Sequence, residues 1–429
     1  MKLDRNFFSL TGLGFKIPGM GFIPMGVVFG LSQFVQNFKL FTKVHAGRLM
    51  VTTAFWAIVS GLLVRLFASD REFDALGLTA VVTTVIWVAM LVLVAIMILT
   101  PVQRIGPERS LVLVGAGMAI GTYLLVRPEK YEWKYALGYG IVILGLGLAA
   151  KRTLPVSVLT GIAFILFSFS QGARSIGIIA AFSVAAAVLA AIRGSRQREK
   201  RIGPGIVIGS ALTFSGLLAA IIYAMKTGWL GEKLQASYIE QTTGGQFILL
   251  GGRTEWRASW DLFLANPWGY GIGGQPSGDE KRSAIAAATE FRGSYFDPYF
   301  TKSVFGTRVD LHSAFCNLWF HFGIGGILLA LTILIILARG VLRAIQLSPV
   351  IVAPIVFILA FGIWDLLFSP MRQYDHIGLA IGVSVLLELL VRKENDSANT
   401  RSRETNWPDS IIDNRVDPKL NTIPPIRHF

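Results

Sequence analysis

Blocks of about 20 apolar residues, almost free of charged side chains, recur along the chain and constrain its fold more than any other feature. Of 429 residues, 53% are hydrophobic and only 15% are charged, whereas a soluble domain carries about a quarter charged residues. A helix of this length spans the hydrocarbon core of a bilayer and satisfies its own backbone hydrogen bonds there. The sequence therefore predicts an integral membrane protein and excludes a soluble enzyme or a disordered chain.

The predicted fold is an all-α, polytopic membrane helix bundle with 11–12 transmembrane helices. The apolar runs lie near residues 18–36, 48–67, 78–100, 110–126, 135–150, 153–169, 175–192, 204–224, 314–338, 349–368 and 376–391. Glycine and proline interrupt the first run, so a helical hairpin or two short passes within 7–36 would make twelve spans. Twelve spans would place Lys2 and Arg5 on the cytoplasmic side, where basic residues are favoured.

The predicted organisation has four parts. Residues 1–224 form helices 1 to 8 or 9, residues 225–311 form one long outer loop, and residues 312–391 form three C-terminal helices. Residues 392–429 are polar, charged and poor in aliphatic side chains, which predicts a disordered cytoplasmic tail. The loop is long for a connection, and we expect it to be partly helical and packed on the bundle.

The distribution of charge sets the predicted topology. The chain holds 40 Lys+Arg against 26 Asp+Glu, and the basic residues cluster in alternate short loops and in the tail. By the positive-inside rule these loops are cytoplasmic, which leaves residues 225–311 on the outer side. The excess positive charge is then explained by topology and anionic lipid headgroups, and it does not indicate nucleic acid.

The first candidate functional residue is His312, at the start of a predicted helix. A histidine at an outer membrane boundary can be neutral and accept a proton from a hydroxyl, as a general base does. Asp310 is close enough in sequence to orient the imidazole. Further along the same helix, Gly323 and Gly326 are three apart and favour close helix approach. The alternative is an interfacial histidine that only forms hydrogen bonds.

The second candidate is the pair Arg253 and Arg257, four residues apart, with Trp256 and Trp260 spaced in the same way. On a helix each pair shares a face, and guanidinium groups at the outer interface suit a diphosphate. The alternative is an amphipathic helix that lies on the membrane with tryptophan anchors. The glycine-rich stretch 266–274 lacks the Gly-Lys-Ser/Thr of a nucleotide-binding loop.

The third candidate is Arg174, in a short and otherwise apolar outer loop. Arginine at membrane depth is costly and often functional, although a residue that only extends its charge to the interface is the alternative. The aromatic cluster 295–300 suits sugar stacking or packing on the membrane surface. Asp365, with the charged residues of 372–376, forms either a proton relay or a structural ion pair. A single cysteine, Cys316, excludes an intramolecular disulfide, and no ligand cluster indicates a metal.

Taken together, these motifs resemble the O-antigen ligase and O-antigen polymerase superfamily. His312-Ser313, nine residues and Gly323-x-x-Gly326 match its histidine motif. Gly252-Arg253 with Trp256 and the following Asn266–Gly271 stretch is similar to its outer-loop signature. Gly172-Ala173-Arg174-Ser175 is similar to its earlier arginine segment. The resemblance covers roughly residues 150–390.

This resemblance implies an inverting glycosyltransferase that needs no metal or cofactor and works at the outer face of a bacterial cytoplasmic (inner) membrane. Its donor would be a glycan on undecaprenyl diphosphate, bound by Arg174 and Arg253, with Arg257 as a further candidate. His312 would take the proton from the acceptor hydroxyl. A ligase would use lipid A-core as its acceptor, and a polymerase would use another lipid-linked glycan.

Two readings from other classes remain open at the sequence level. A flippase or transporter of lipid-linked oligosaccharide would suit the helix count, but transporters usually carry internal repeats and interrupted helices. A scaffold role in an envelope complex is the other reading. Loss of His312 distinguishes them from a transferase, because neither needs a base at that position.

Overall fold

The computed structural model describes residues 31–67, 77–125, 137–198, 204–242, 253–290, 297–306 and 309–369, together with Trp133 and short pieces between residues 8 and 28. Two short strands come first, β1 (Lys16–Ile17) and β2 (Met20–Pro24). The helices are α1 (Phe34–Lys43), α2 (His45–Phe67), α3 (Leu78–Ile105), α4 (Pro107–Leu125), α5 (Gly138–Ala149), α6 (Leu154–Ser170), α7 (Arg174–Arg198), α8 (Pro204–Lys226), α9 (Glu232–Thr242), α10 (Thr254–Ala265), α11 (Gly278–Thr289), α12 (Ala314–Ala344) and α13 (Pro349–Phe368).

The described residues form a polytopic bundle of apolar helices, as predicted. Five helices within the described ranges are long and apolar enough to cross a membrane: His45–Phe67, Val81–Ile105, Arg174–Arg193, Ala314–Ala344 and Pro349–Phe368. Gly138–Ala149, Leu154–Ser170 and Ser215–Lys226 are shorter apolar helices. The predicted total of 11–12 spans stays a prediction. The run near 376–391 and the tail from 392 lie outside the described residues.

The N-terminal region differs from the prediction. We expected a span near 18–36, but β1 and β2 pair there as antiparallel strands. A 3₁₀ turn (Leu31–Gln33) then leads into α1. The glycines and prolines that interrupt the apolar run explain the difference, because both residue types weaken a helix interior. The hydroxyl and amide groups of Thr100 and Asn37 bond α1 to α3, where the Asn37 amide also donates to the Met97 carbonyl at 3.2 Å.

Helix α12 packs against two other long apolar helices. It packs most extensively against α2 and also against α13, which in turn packs against α7. The approach of α12 to α2 is close at Gly325, where an added Cβ would lie 2.7 Å from the Trp56 carbonyl and 2.7 Å from the Ser60 Cβ. We predicted a close helix approach at Gly323 and Gly326, and the approach to α2 described here is made at Gly325.

Gly323 instead breaks α12. Its backbone, at φ 57° and ψ −139°, is not helical and divides the helix into a short segment before the break and a longer one after it. A Cβ at Gly323 would collide with the Trp268 carbonyl, and one at Gly326 would collide with the Leu318 carbonyl. Glycine is required at the break because only glycine adopts this backbone without strain and leaves space for the neighbouring chain.

The segment predicted as an outer loop contains helices α9, α10 and α11 and contacts the bundle. Helices α10 and α11 pack against each other. Between them, the chain runs along α2 and the first part of α12: the amide of Tyr270 donates to the Phe320 carbonyl at 2.8 Å. Arg65 Nη1 donates to the Ile272 carbonyl at 2.5 Å. These contacts fix the segment to α2 and to α12, the helix that follows His312.

Candidate functional site

Four separate parts of the chain meet at one end of the bundle. They are the start of α7, the start of α10, the segment 297–317 that leads into α12, and the last turn of α13. Arg174 at the start of α7 is close enough to Arg253 for electrostatic repulsion. Arg253 contacts the last turn of α13, and α10 is bonded to the segment before α12. Residues predicted from three distant motifs, Arg174, Arg253 and His312, therefore belong to one region of the molecule.

Arg174 is the first residue of α7 and is partly buried. Its Nη1 donates a hydrogen bond to Gln241 Oε1 at 2.9 Å. Arg174 is also close enough to Glu240 for electrostatic attraction and close enough to Arg253 for repulsion. Its one hydrogen bond to a described residue is to a neutral amide, so most of the guanidinium donors remain available within this part of the chain.

Arg253 lies immediately before α10, which begins at Thr254. The expectation that Arg253 and Arg257 occupy one helix face is therefore wrong, because Arg253 is the N-cap and its backbone is not helical. The centre of its guanidinium lies 6.0 Å from the ring centroid of Trp364 and 5.9 Å from that of Phe368. Both rings belong to the last turn of α13, and their faces attract the cation without neutralising it.

Arg257 points to a different partner. Its Nη1 lies 3.6 Å from Glu290 Oε2, an ion pair just beyond the end of α11. The two tryptophans of the same motif also diverge. Trp256 is turned inward and donates from Nε1 to the Leu367 carbonyl at 3.1 Å, whereas Trp260 is 61% exposed. Diphosphate binding by Arg257 stays a prediction, but its charge is already matched by a carboxylate.

Tyr299 links the arginine region to the histidine. Its hydroxyl donates to Glu255 Oε1 at 2.7 Å, and its ring centroid lies 5.7 Å from that of His312. Burial, followed by the charge and hydrogen bond of Glu255, raises the pKa of Tyr299 far above its ordinary value. The hydroxyl therefore stays protonated and keeps donating, so it holds Glu255, which follows Arg253 by two residues in the sequence.

The backbone around His312 folds back sharply. A short helical turn (Asp297–Tyr299) continues into a π-helical turn (Phe300–Val304). The amide of Asp310 then returns to the Val304 carbonyl at 2.9 Å. This fold-back brings Tyr299 and His312 together. Single π-helical turns are rare and often occur at functional sites.

His312 itself has an unusual backbone. Its φ is +51°, and it is the one non-glycine residue with positive φ in the described ranges. Its Nδ1 lies 3.1 Å from the Asp310 carbonyl oxygen. Because a carbonyl only accepts, this contact requires the hydrogen on Nδ1, and in the neutral imidazole the lone pair is then on Nε2. A neutral imidazole in this tautomer can take a proton at Nε2.

Other polar residues near the site have structural partners. Asp365, which we considered for a proton relay, accepts a hydrogen bond from the Ser369 hydroxyl at 3.0 Å, and residues 372–376 lie outside the described residues. Ser313 caps α12 by accepting from the Cys316 amide at 3.3 Å. The part of the chain that the structure describes contains no group of three His, Cys, Asp or Glu side chains able to hold a metal.

Sequence reasoning missed several residues of this region. Glu255, Gln241 and Asn317 carried no motif that singled them out, and Trp364 and Phe368 read as ordinary membrane-helix residues. Only Asn317 offered a signal, since an amide in the first turn of a helix is placed to bond the preceding loop. Compared with protein-family models and with curated proteins, the chain matches no family and no relative.

Proposed function

We propose that this protein is an O-antigen ligase-like membrane glycosyltransferase. It transfers a glycan from undecaprenyl diphosphate to an acceptor hydroxyl at the outer face of the bacterial cytoplasmic membrane. The observation that carries this proposal is the meeting of Arg174, Arg253 and His312 at one end of the bundle. Among the described residues neither arginine forms an ion pair with a carboxylate, and Nδ1 of the histidine contacts a carbonyl, which leaves Nε2 of the neutral ring as a proton acceptor.

The arginines act on the donor. A guanidinium donates two parallel hydrogen bonds to phosphate oxygens, and two such groups suit a diphosphate. As the bond between the anomeric carbon and the phosphate oxygen breaks, negative charge grows on the leaving diphosphate. Arg174 and Arg253 stabilise that charge where it develops, so the reaction proceeds without a metal ion.

His312 acts on the acceptor. Nε2 takes the proton of the acceptor hydroxyl as the oxygen attacks the anomeric carbon from the face opposite the diphosphate. The products are the glycosylated acceptor with inverted anomeric configuration, undecaprenyl diphosphate and a protonated imidazole. Lipid A-core and a lipid-linked glycan both offer an acceptor hydroxyl, so polymerase activity is the same chemistry with a different acceptor.

Glycosyl transfer by purified protein tests the proposal. The donor is an undecaprenyl-diphosphate oligosaccharide, and lipid A-core or a second copy of the donor is offered as the acceptor. His312→Ala is compared with His45→Ala, a matched control because His45 is an exposed histidine at the start of α2. We expect His312→Ala to lose activity by about 10²–10⁴-fold, the usual contribution of a general base, and His45→Ala to retain it.

Each product of this experiment has a distinct meaning. Product on lipid A-core identifies a ligase, and longer lipid-linked chains identify a polymerase. Movement of donor across a vesicle, with no product from either acceptor, identifies a flippase and overturns the proposal. Full activity in His312→Ala would remove the histidine from the mechanism.

A further inference from the structure

The carboxylate of Asp310 holds the backbone of His312. Asp310 is only 6% exposed, and its Oδ1 accepts a hydrogen bond from the His312 amide at 3.1 Å. The carbonyl of the same residue accepts from His312 Nδ1 at 3.1 Å. One residue therefore fixes both the main chain and the ring of the histidine.

Asn317 braces this arrangement from the first turn of α12. Its Nδ2 donates to Asp310 Oδ1 at 3.0 Å, and its Oδ1 accepts from the Leu311 amide at 2.9 Å. The side chain is 2% exposed. The two partners fix the orientation of the amide, because the Leu311 amide requires an acceptor and the Asp310 carboxylate requires a donor.

These bonds hold His312 in a conformation it would otherwise avoid. A non-glycine residue at φ +51° carries steric strain, and such a residue persists only where its surroundings determine it. Here the determining contacts come from Asp310 directly and from Asn317 through Asp310. Strain of this kind concentrates where a side chain must be held for function.

We infer that Asp310 and Asn317 are positioning residues that hold His312 as its Nδ1–H tautomer, with Nε2 presented as the proton acceptor. Neither residue touches the reacting atoms. This inference rests on the proposed function for its kinetic consequence, whereas the tautomer is a property of the protein alone and can be measured without any substrate.

A reciprocal exchange tests the kinetic consequence. Asn317→Asp sets two carboxylates against each other and removes the donor to Asp310, so we expect kcat to fall about 10²-fold, as misplacement by roughly 1 Å can produce. The KM for the donor should stay within about twofold of wild type, since the arginines are unchanged. The double variant Asp310→Asn/Asn317→Asp restores one donor and one acceptor at the contact, and it should recover most of the lost kcat.

Nitrogen NMR of uniformly ¹⁵N-labelled protein at alkaline pH tests the tautomer. The chain has five histidines, and His312→Gln identifies the signals of His312 by their loss. We expect a protonated Nδ1 and an unprotonated Nε2 in the wild type. In Asn317→Asp we expect a mixture of tautomers, and in the double variant a return to the Nδ1–H form.

The outcomes separate this inference from the proposed function. An Nε2–H tautomer in the wild type, or wild-type kcat in Asn317→Asp, overturns the positioning role. A loss in Asn317→Asp that falls on KM and thermal stability, and that leaves kcat unchanged, also overturns it. If Asn317→Asp does not fold, the wild-type tautomer and the double variant still decide. Absence of transfer by the wild type overturns the proposed function and leaves the tautomer measurement standing.

Discussion

The two halves of the candidate site are held in opposite ways. His312 is fixed by hydrogen bonds to its amide and to its Nδ1, both made by Asp310. Arg174 and Arg253 are held by a neutral amide and by aromatic rings. A proton acceptor needs a fixed ring and tautomer, whereas a group that binds an incoming diphosphate must keep its charge and its donors available. The contrast agrees with the proposed reaction, in which His312 accepts a proton and the two arginines bind the diphosphate.

Arg257 lies in the same helix region but has a different kind of partner. It lies four residues from Arg253 but forms an ion pair with Glu290. The difference between these two arginines is therefore a difference of partner, and it supplies an internal control for every test of the diphosphate site.

Arg253→Lys carries the largest expected effect. An ammonium keeps the charge but cannot fork onto a diphosphate, and its interaction with the rings of Trp364 and Phe368 differs from that of a planar guanidinium. We expect kcat/KM to fall at least about 10²-fold, in the range found when one group that stabilises the transition state is removed. Transfer to the preferred acceptor measures it, with Arg257→Lys as the matched control. Wild-type turnover in Arg253→Lys would remove Arg253 from the diphosphate site.

Tyr299→Phe should have an intermediate effect on donor binding. It keeps the ring beside His312 but removes the hydroxyl that donates to Glu255. Released from this bond, the Glu255 carboxylate competes with the diphosphate for Arg253. We expect the donor KM to rise by about 3–10-fold, comparable to the roughly 0.5–1.5 kcal/mol net contribution of one typical hydrogen bond, with little change in kcat.

The double variant Tyr299→Phe/Glu255→Gln separates the two explanations of that rise. If the charge of Glu255 causes it, the neutral glutamine returns the donor KM towards the wild-type value. If kcat falls in Tyr299→Phe and the donor KM does not change, the hydroxyl serves His312 and the proposed separation of the two halves is incorrect.

Long apolar runs predicted most of the described helices, because insertion into lipid depends on residue composition over a long window. The start of α12 and the position of α13 were predicted to within a residue for the same reason. The prediction failed near 18–36, where glycine and proline outweighed the apolar content. It also missed the break at Gly323. This break depends on a tertiary contact, because the backbone carbonyl of Trp268 packs against Gly323 and leaves no space for a Cβ.

The site was predictable only in part. Arg174 stood out because arginine at membrane depth is costly. Arg253 stood out by its spacing from Arg257, and His312 by its position at the start of a predicted helix. Their supporting residues did not, since Glu255, Tyr299 and Asn317 acquire their roles from contacts between distant parts of the chain. Sequence spacing placed Arg253 and Arg257 on one helix face, and the actual start of α10 at Thr254 separated them.

Arg257→Gln carries the smallest expected effect and tests the comparison from the other side. Its ion pair with Glu290 is partly exposed, and pairs of this kind contribute about 0–1 kcal/mol to stability. We expect transfer within about twofold of wild type, because the proposed diphosphate contacts are made by other arginines. We also expect a nearly unchanged thermal midpoint, because the ion pair contributes little to stability. Glu290→Gln should behave in the same way, since each variant removes the same pair.

If Arg257→Gln instead raises the donor KM as strongly as the loss of Arg253 does while Glu290→Gln has no effect, Arg257 leaves Glu290 when the donor binds. The diphosphate site would then contain three arginines, and the partner seen in the free protein would no longer distinguish a structural arginine from a functional one.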